Sequence, residues 1–205
     1  MPRESKKEKL ARLTVMEREL WDAGATVAGI DEVGRGPLAG PVVACCIVIP
    51  KDGLIPGVDD SKKLSEKRRE ELYDRLIDAA SYVRLARLEA CDIDRINILE
   101  ATKLCMEQAA SQAQGAVFLI DAVKGLKLPG EQRPIIHGDA ISYMIAAASI
   151  VAKVERDRWM IQLDRQYPMY GFARNKGYGT GEHIKALREY GPCPQHRRSF
   201  IKKIC

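Results

Sequence analysis

Three apolar runs in this chain end in acids, and this pattern constrains the fold more than any other feature. VAGID (27–31) ends at Asp31, with Glu32 following; AVFLID (116–121) ends at Asp121; PIIHGD (134–139) ends at Asp139 and leads into an Ala-rich segment. Short continuous apolar runs of this kind read as buried strands. VVACCIVI (42–49) reads the same way, and YVRLARL (82–88), with apolar and basic positions alternating, reads as a strand with one wet face.

Helical patterns lie between the strands. Residues 4–24 predict a charged helix with an apolar stripe at Leu10, Leu13, Leu20 and Trp21. Residues 65–80 predict a second, 92–112 a third, about 140–164 an Ala-rich fourth, and 181–189 a shorter one. Interleaved strands and helices place the chain in the α/β class, with a central mixed β-sheet flanked by helices. No linker or low-complexity run divides residues 1–205, so one domain is expected. It carries an N-terminal helical extension over 1–26 and a small C-terminal helical and loop part over about 165–205.

Composition removes several classes. No apolar stretch reaches the ~18 residues of a membrane span, and MPRESKKEKLARL lacks the apolar core of a secretory signal, so a cytoplasmic protein with no membrane partner is expected. The six cysteines (45, 46, 91, 105, 193 and 205) include no CxxC pair, which argues against a zinc ribbon or a redox motif. Most of them read as small core residues in a reducing compartment. Charge is uneven: residues 151–205 hold 12 Lys/Arg against 5 Asp/Glu, while residues 1–150 hold 21 against 23. A basic end on a near-neutral body suits a polyanionic partner. Nothing points to an obligate interface, and a monomer is expected.

The acids carry the chemistry. Sites in sheets of this kind form where strand ends and the loops after them converge, so Asp31, Glu32, Asp121 and Asp139 can meet in one cleft. Clustered carboxylates repel each other unless cations lie between them. Oxygen ligands without His or Cys select Mg²⁺ or Mn²⁺, and a pair of such ions serves phosphodiester hydrolysis without a nucleophilic side chain. The plainer readings are a turn-forming Asp after each strand and Asp139 as N-cap of the Ala-rich helix.

Further motifs fit a nucleic-acid substrate. Gly34-Arg35-Gly36-Pro37-Leu38-Ala39-Gly40 has GxGxxxG spacing and a strand after it, so it is not a dinucleotide fingerprint. A Gly-Arg-Gly loop beside acids can nevertheless bring backbone amides to a phosphodiester or sugar edge; a tight strand-to-strand turn is the alternative. Asp60-Ser61-Lys62-Lys63-Leu64-Ser65, before a helix, reads as a phosphate contact or as an ordinary cap. Arg174, Lys176 and Tyr178 interleave basic and aromatic groups in a Gly-rich loop, a pattern suited to phosphate and sugar, or else a surface turn with a half-buried ring. His137 reads as a strand-end packing residue, His183 as a helix cap or a neighbour of a site, and His196, in QHRRSF, as part of the basic face.

Five blocks in order resemble the type II ribonucleases H: DEVGRG (31–36), DSKKLS (60–65), IDRINILEAT (93–102), HGDAISYMIAAASIVAKVERD (137–157) and YGFARNKGYGT (170–180). The resemblance runs over about residues 27–200. It implies a ribonuclease H-like fold and a metal-dependent endonuclease in which Asp31, Glu32, Asp121 and Asp139 bind Mg²⁺ or Mn²⁺, with two ions during catalysis. It implies that Gly34, Arg35 and Gly36 read the ribonucleotide's 2′-hydroxyl or its junction with DNA, and that Tyr178 packs on the deoxyribose beyond it. Lys62 resembles a phosphate-contacting lysine. The implied partners are RNA–DNA hybrids and duplex DNA containing ribonucleotides.

The chain departs from the family at Asp121-Ala122-Val123-Lys124, where Asp-Gly is common; the acid is kept. The related type III enzymes carry an extra N-terminal domain, for which the 26 residues before Val27 are too few. A binding module without catalysis would gain nothing from four acids facing phosphates. A nuclease of plain DNA would have no use for the Gly-Arg-Gly loop and Tyr178.

Overall fold

The computed structural model describes residues 4–204. Its helices and strands run in the order α1 (Lys6–Leu13), α2 (Val15–Asp22), β1 (Thr26–Val33), β2 (Val42–Val48), α3 (Glu66–Ala79), β3 (Tyr82–Leu88), α4 (Ala90–Ile96), α5 (Ile98–Ala110), β4 (Ala116–Asp121), β5 (Gln132–Ile135), α6 (Tyr143–Gln166), α7 (Phe172–Asn175), α8 (Gly181–Tyr190) and α9 (Arg198–Ile201). The sheet order is β3-β2-β1-β4-β5. β1 and β2, and β2 and β3, pair antiparallel; β1 and β4, and β4 and β5, pair parallel. The expected mixed sheet is present.

The strand period of two assigns side chains to opposite faces. Val27, Val43, Cys45, Ile47, Val117 and Leu119 pack with α6 and with Leu72 and Leu76 of α3. Ala28, Ile30, Val42, Ala44, Cys46, Phe118 and Ile120 pack on the other face with Ala101, Cys105, Met106 and Ala109 of α5. Each fully buried Ile or Phe here contributes roughly 1.5–3 kcal/mol. The long helix α6 crosses β1 closely: a Cβ on Gly29 would lie 2.1 Å from the Met144 backbone carbon, so only glycine fits. Beyond the sheet, Met160 and Leu163 at the far end of α6 join Tyr170, Phe172, Leu187, Cys193 and Ile201 in a third cluster.

Two expected single helices are pairs. The 4–24 helix breaks at Thr14, whose backbone leaves the helical region (φ −103°, ψ 13°) while its hydroxyl donates back to the Leu10 carbonyl at 2.8 Å. The 92–112 helix breaks at Asn97, held at φ +66°. There its carboxamide oxygen caps α5 by accepting from Leu99 N and Glu100 N at 2.9 and 3.1 Å. The PII strand lies slightly earlier than expected, ending at Ile135, and His137 stands in the left-handed region (φ +57°) as cap of a short 3₁₀ turn at Gly138–Ala140. Asp139 sits in that turn; Ser142, not Asp139, caps α6 by accepting from Ile145 N at 3.2 Å.

Cys45, Cys46, Cys105 and Cys193 are buried, Cys91 is exposed, and Cys205 lies outside the described residues. No helix among the described residues is long and apolar enough to cross a membrane.

Candidate functional site

β1 and β4 run side by side in parallel, with Ile30 opposite Ile120. The next residue of each strand is therefore an acid at the same strand end, Asp31 beside Asp121. Both continue the odd-numbered face that carries Val27, Val117 and Leu119, so both point toward α6. Asp31 is 4% exposed and Asp139 is 6% exposed. Asp121 Oδ1 accepts from Gly138 N at 2.7 Å, which pins the turn carrying Asp139 to the end of β4.

Glu32 has the opposite parity and leaves β1 on the α5 side. Its Oε1 is 3.5 Å from Arg35 Nη1, and its Oε2 is buried with no hydrogen-bond partner among the described residues. Lys62, in the turn before α3, places its ammonium 3.2 Å from Asp139 Oδ2.

Asp31, Glu32 and Asp121 are uncomfortable as anions. Burial, then the charges of Glu32 and Asp121, push Asp31 well above the usual carboxylate range. Burial raises Glu32 against the pull of Arg35, with Asp121 adding to the rise. Burial raises Asp121 too, opposed by the Gly138 amide and reinforced by Asp139. Lys62 is raised despite the opposing effect of its burial, because Asp139 holds its proton. An oxygen-only donor set with an orphaned buried carboxylate oxygen is chemically suited to a hard divalent cation. Among the described residues no three of the acidic, His or Cys side chains are already drawn into a ligand cage.

The Gly-Arg-Gly loop leads directly out of β1. Gly34 adopts φ +95°, and a Cβ there would lie 2.2 Å from Arg156 Nε. The loop is held through its carbonyls by Arg197: Nη2 donates to Gly34 O at 2.6 Å and to Gly40 O at 2.8 Å, Nη1 to Arg35 O at 2.8 Å, and Nε to Gly40 O at 3.0 Å. Arg156 holds the end of the loop, donating to Ala39 O and Pro41 O, and also to Lys176 O. Both guanidiniums are fully buried. The carbonyls of Gly34, Arg35, Leu38, Ala39 and Gly40 are engaged, while the amides of Arg35 and Gly36 have no partner among the described residues.

Tyr178 stands next to this loop. A Cβ on Gly36 would be 3.9 Å from Tyr178 Cε1, and Leu38 N donates to Gly177 O at 2.8 Å. The Tyr178 ring is half exposed, as is Arg35. The structure therefore brings Gly34, Arg35, Gly36 and Tyr178 together beside the strand ends, and Lys62 contacts the acids at Asp139. Arg174 pairs with Glu182 at the surface, and Lys176 turns its ammonium back to the Ala173 carbonyl.

His196 is not part of a basic face: it is 1% exposed and its ring bonds to His183. Its neighbour Arg197 was equally invisible in sequence, since its partners are backbone carbonyls far back along the chain. Arg156 left a trace, a charged residue in line with Ala152, Met160 and Leu163 on the apolar stripe of α6.

Comparison with known proteins agrees with this arrangement. Residues 28–203 match the family described as Ribonuclease HII. The chain is 50% identical over 195 residues to the Ribonuclease HII of Acetivibrio thermocellus, covering 94% of this chain and 76% of that protein. It superposes on the crystal structure of ribonuclease H2 from Pyrococcus horikoshii with a TM-score of 0.73 and 28% identity, over 87% of this chain and 96% of that one. It shares the fold of Bst-RNase HIII, solved in complex with Mn²⁺, at a TM-score of 0.63 and 17% identity, over 82% of this chain and 63% of that one. A mixed sheet in this order, a run of type II signature blocks and this degree of identity together show that the chain is a nuclease belonging to the ribonuclease HII family.

Proposed function

We propose that the protein hydrolyses the phosphodiester on the 5′ side of a ribonucleotide, both in RNA–DNA hybrids and at single ribonucleotides embedded in duplex DNA. The observation that carries this reading is the pairing of Asp31 and Asp121 at adjacent parallel strand ends, directly beside the Gly34-Arg35-Gly36 loop and Tyr178. Acids in that position serve cleavage, and the loop and ring beside them select the sugar.

Asp31, Glu32, Asp121 and Asp139 would hold two Mg²⁺ or Mn²⁺ ions. When bound, these ions lower the pKa of a water and neutralise charge on the departing oxygen. The water's oxygen joins phosphorus, the bond to the 3′ oxygen breaks, and that oxygen takes up a proton. The products carry a 3′-hydroxyl and a 5′-phosphate.

The chain's own groups bind and orient. The unpartnered amides of Arg35 and Gly36 face a 2′-hydroxyl, the group that separates RNA from DNA, and the inward grip of Arg197 on the loop carbonyls keeps those amides outward. The Tyr178 ring packs on the deoxyribose that follows the ribonucleotide. Lys62, largely exposed beyond its contact with Asp139, meets a phosphate. The basic residues of 151–205 add sequence-independent affinity. Such an enzyme has two roles, removal of ribonucleotides misplaced in DNA and degradation of RNA in hybrids.

The test is to map cut ends on a labelled DNA duplex with one ribonucleotide, with Mg²⁺, Mn²⁺ or EDTA, beside an all-DNA duplex. Metal-dependent cutting 5′ to the ribonucleotide is expected. Efficient cutting of the all-DNA duplex, or cutting on the 3′ side, contradicts the reading.

A further inference from the structure

Behind Tyr178 lies a buried chain of hydrogen bonds with fixed polarity at both ends. Cys193 N donates to His196 Nδ1 at 3.0 Å. His196 Nε2 is 3.0 Å from His183 Nε2. His183 Nδ1 is 2.8 Å from the Tyr178 carbonyl. A backbone N–H can only donate and a carbonyl can only accept. His196 Nδ1 is therefore the acceptor, so its proton is on Nε2 and points at His183. His183 Nε2 accepts it, so the His183 proton is on Nδ1 and points at Tyr178 O. One arrangement of protons satisfies all three contacts, and both rings are neutral in it. A second proton on either ring would set two N–H groups against each other.

The surroundings hold this arrangement. His183 is 0% and His196 1% exposed. Tyr170 meets the His196 ring edge-on at 4.7 Å, and Phe172 meets the His183 ring edge-on at 5.5 Å. Arg198 disfavours a charged His196; Glu182, next to His183 in the chain, is taken up by Arg174 at 3.0 Å, and the Cys193 thiol, 3.2 Å from His196 Nδ1, is held protonated by burial. His183 also lies in the first turn of α8, where the helix dipole disfavours a cation. Burial accordingly lowers the proton affinity of both rings.

The relay begins where the Gly-Arg-Gly loop is gripped. Gln195 O accepts from Gly40 N at 2.8 Å, Arg197 N donates to Leu38 O at 2.9 Å, and the Arg197 side chain holds Gly34 and Arg35. Segment 193–197 thus reaches the Gly-Arg-Gly loop through Arg197 and the backbone of Tyr178 through His196 and His183.

We propose that His183 and His196 are positioning residues that fix the Tyr178 ring against the Gly-Arg-Gly loop and so set the preference for a deoxyribose after the ribonucleotide. This rests on the reading of Tyr178 as the deoxyribose contact. Neither histidine touches the substrate; they act through the Tyr178 carbonyl.

The experiment compares kcat and KM for a single-ribonucleotide duplex and for a long RNA–DNA hybrid, which has a ribose at the following position. His183→Phe keeps a ring among Tyr170, Phe172 and His196 but removes the donor. His183→Asn keeps a donor near the place of Nδ1. His183→Phe is expected to lower the kcat/KM ratio of single-ribonucleotide duplex to hybrid roughly tenfold, mainly through KM. His183→Asn is expected to recover much of it, and Tyr178→Ala to lower the ratio with no further loss on adding His183→Phe. Equal losses on both substrates, no loss, or additive losses in the double variant overturn the proposal. If Tyr178→Ala leaves the ratio unchanged, the assignment of Tyr178 itself fails; if it lowers the ratio while His183→Phe does not, only the relay fails. Nitrogen-15 spectra of the histidine rings in the unaltered protein give a readout that needs no variant to fold. Neutral rings protonated on Nδ1 of His183 and Nε2 of His196 are expected, and the opposite tautomers overturn the relay.

Discussion

Arg197 Nη2 lies 2.6 Å from the carbonyl oxygen of Gly34, so one buried guanidinium fixes the backbone that leaves the strand carrying Asp31. Arg197→Lys keeps the charge but cannot reproduce a fork that reaches Gly34, Arg35 and Gly40 together. It is expected to cost about 2–4 kcal/mol, because buried carbonyls lose their donors. Cleavage of a single-ribonucleotide duplex is expected to fall with it. Urea unfolding beside cleavage rates checks both, and a fully stable, fully selective variant would show that the loop holds itself.

Gly29→Ala probes the contact of β1 with α6. Its methyl group would meet the Met144 backbone carbon and oxygen at 2.1 and 2.2 Å, and a helix backbone cannot retreat as a side chain can. A loss of about 3 kcal/mol or more is expected. Denaturant midpoints give the answer, and a loss under about 1 kcal/mol is incompatible with so close a crossing.

Lys62→Ala removes an ammonium that serves Asp139 and is otherwise open to solvent. KM is expected to rise several-fold, and the slope of log affinity against log salt to become shallower by about one. Binding titrations at several salt concentrations measure this. An unchanged slope would assign Lys62 to holding Asp139 alone.

Acid should weaken the histidine relay. An unfolded histidine takes up its proton near pH 6.5, while folded His196 does so only at about 4, and burial lowers His183 in the same direction. Between those limits the unfolded state binds more protons, so the relay's stabilisation is present above about pH 6.5 and is lost as pH falls toward 4. His196→Gln removes the His196 share of this dependence. The stability gap between the unaltered protein and His196→Gln is therefore expected to shrink from about pH 7 to about pH 5; a constant gap contradicts the buried, neutral assignment.

The strands were legible because continuous apolar runs need burial on both faces, and VVACCIVI and AVFLID sit in the two centrally placed positions beside β1 where this is met. The two helix breaks were not, since Thr14 and Asn97 act through side-chain bonds to the backbone that hydrophobic spacing does not register. Strand-end acids were visible as a pattern, but their sides were not: Asp31 and Glu32 are adjacent in sequence and leave β1 on opposite faces. The sequence also made His196 look like surface, because two arginines come after it. Only the fold reveals that Arg197 turns inward to carbonyls and draws His196 in with it.

If the acids at the ends of β1 and β4 cut beside a ribonucleotide, removing one charge should stop the cut and leave the binding. The most direct test is cleavage of a duplex containing one ribonucleotide by the unaltered protein and by Asp31→Asn, with binding measured on the same substrate. Asp31→Asn is expected to lose cleavage by about 10³-fold or more while still binding the duplex. Cleavage by Asp31→Asn within about tenfold of the unaltered rate would contradict the role given to these acids.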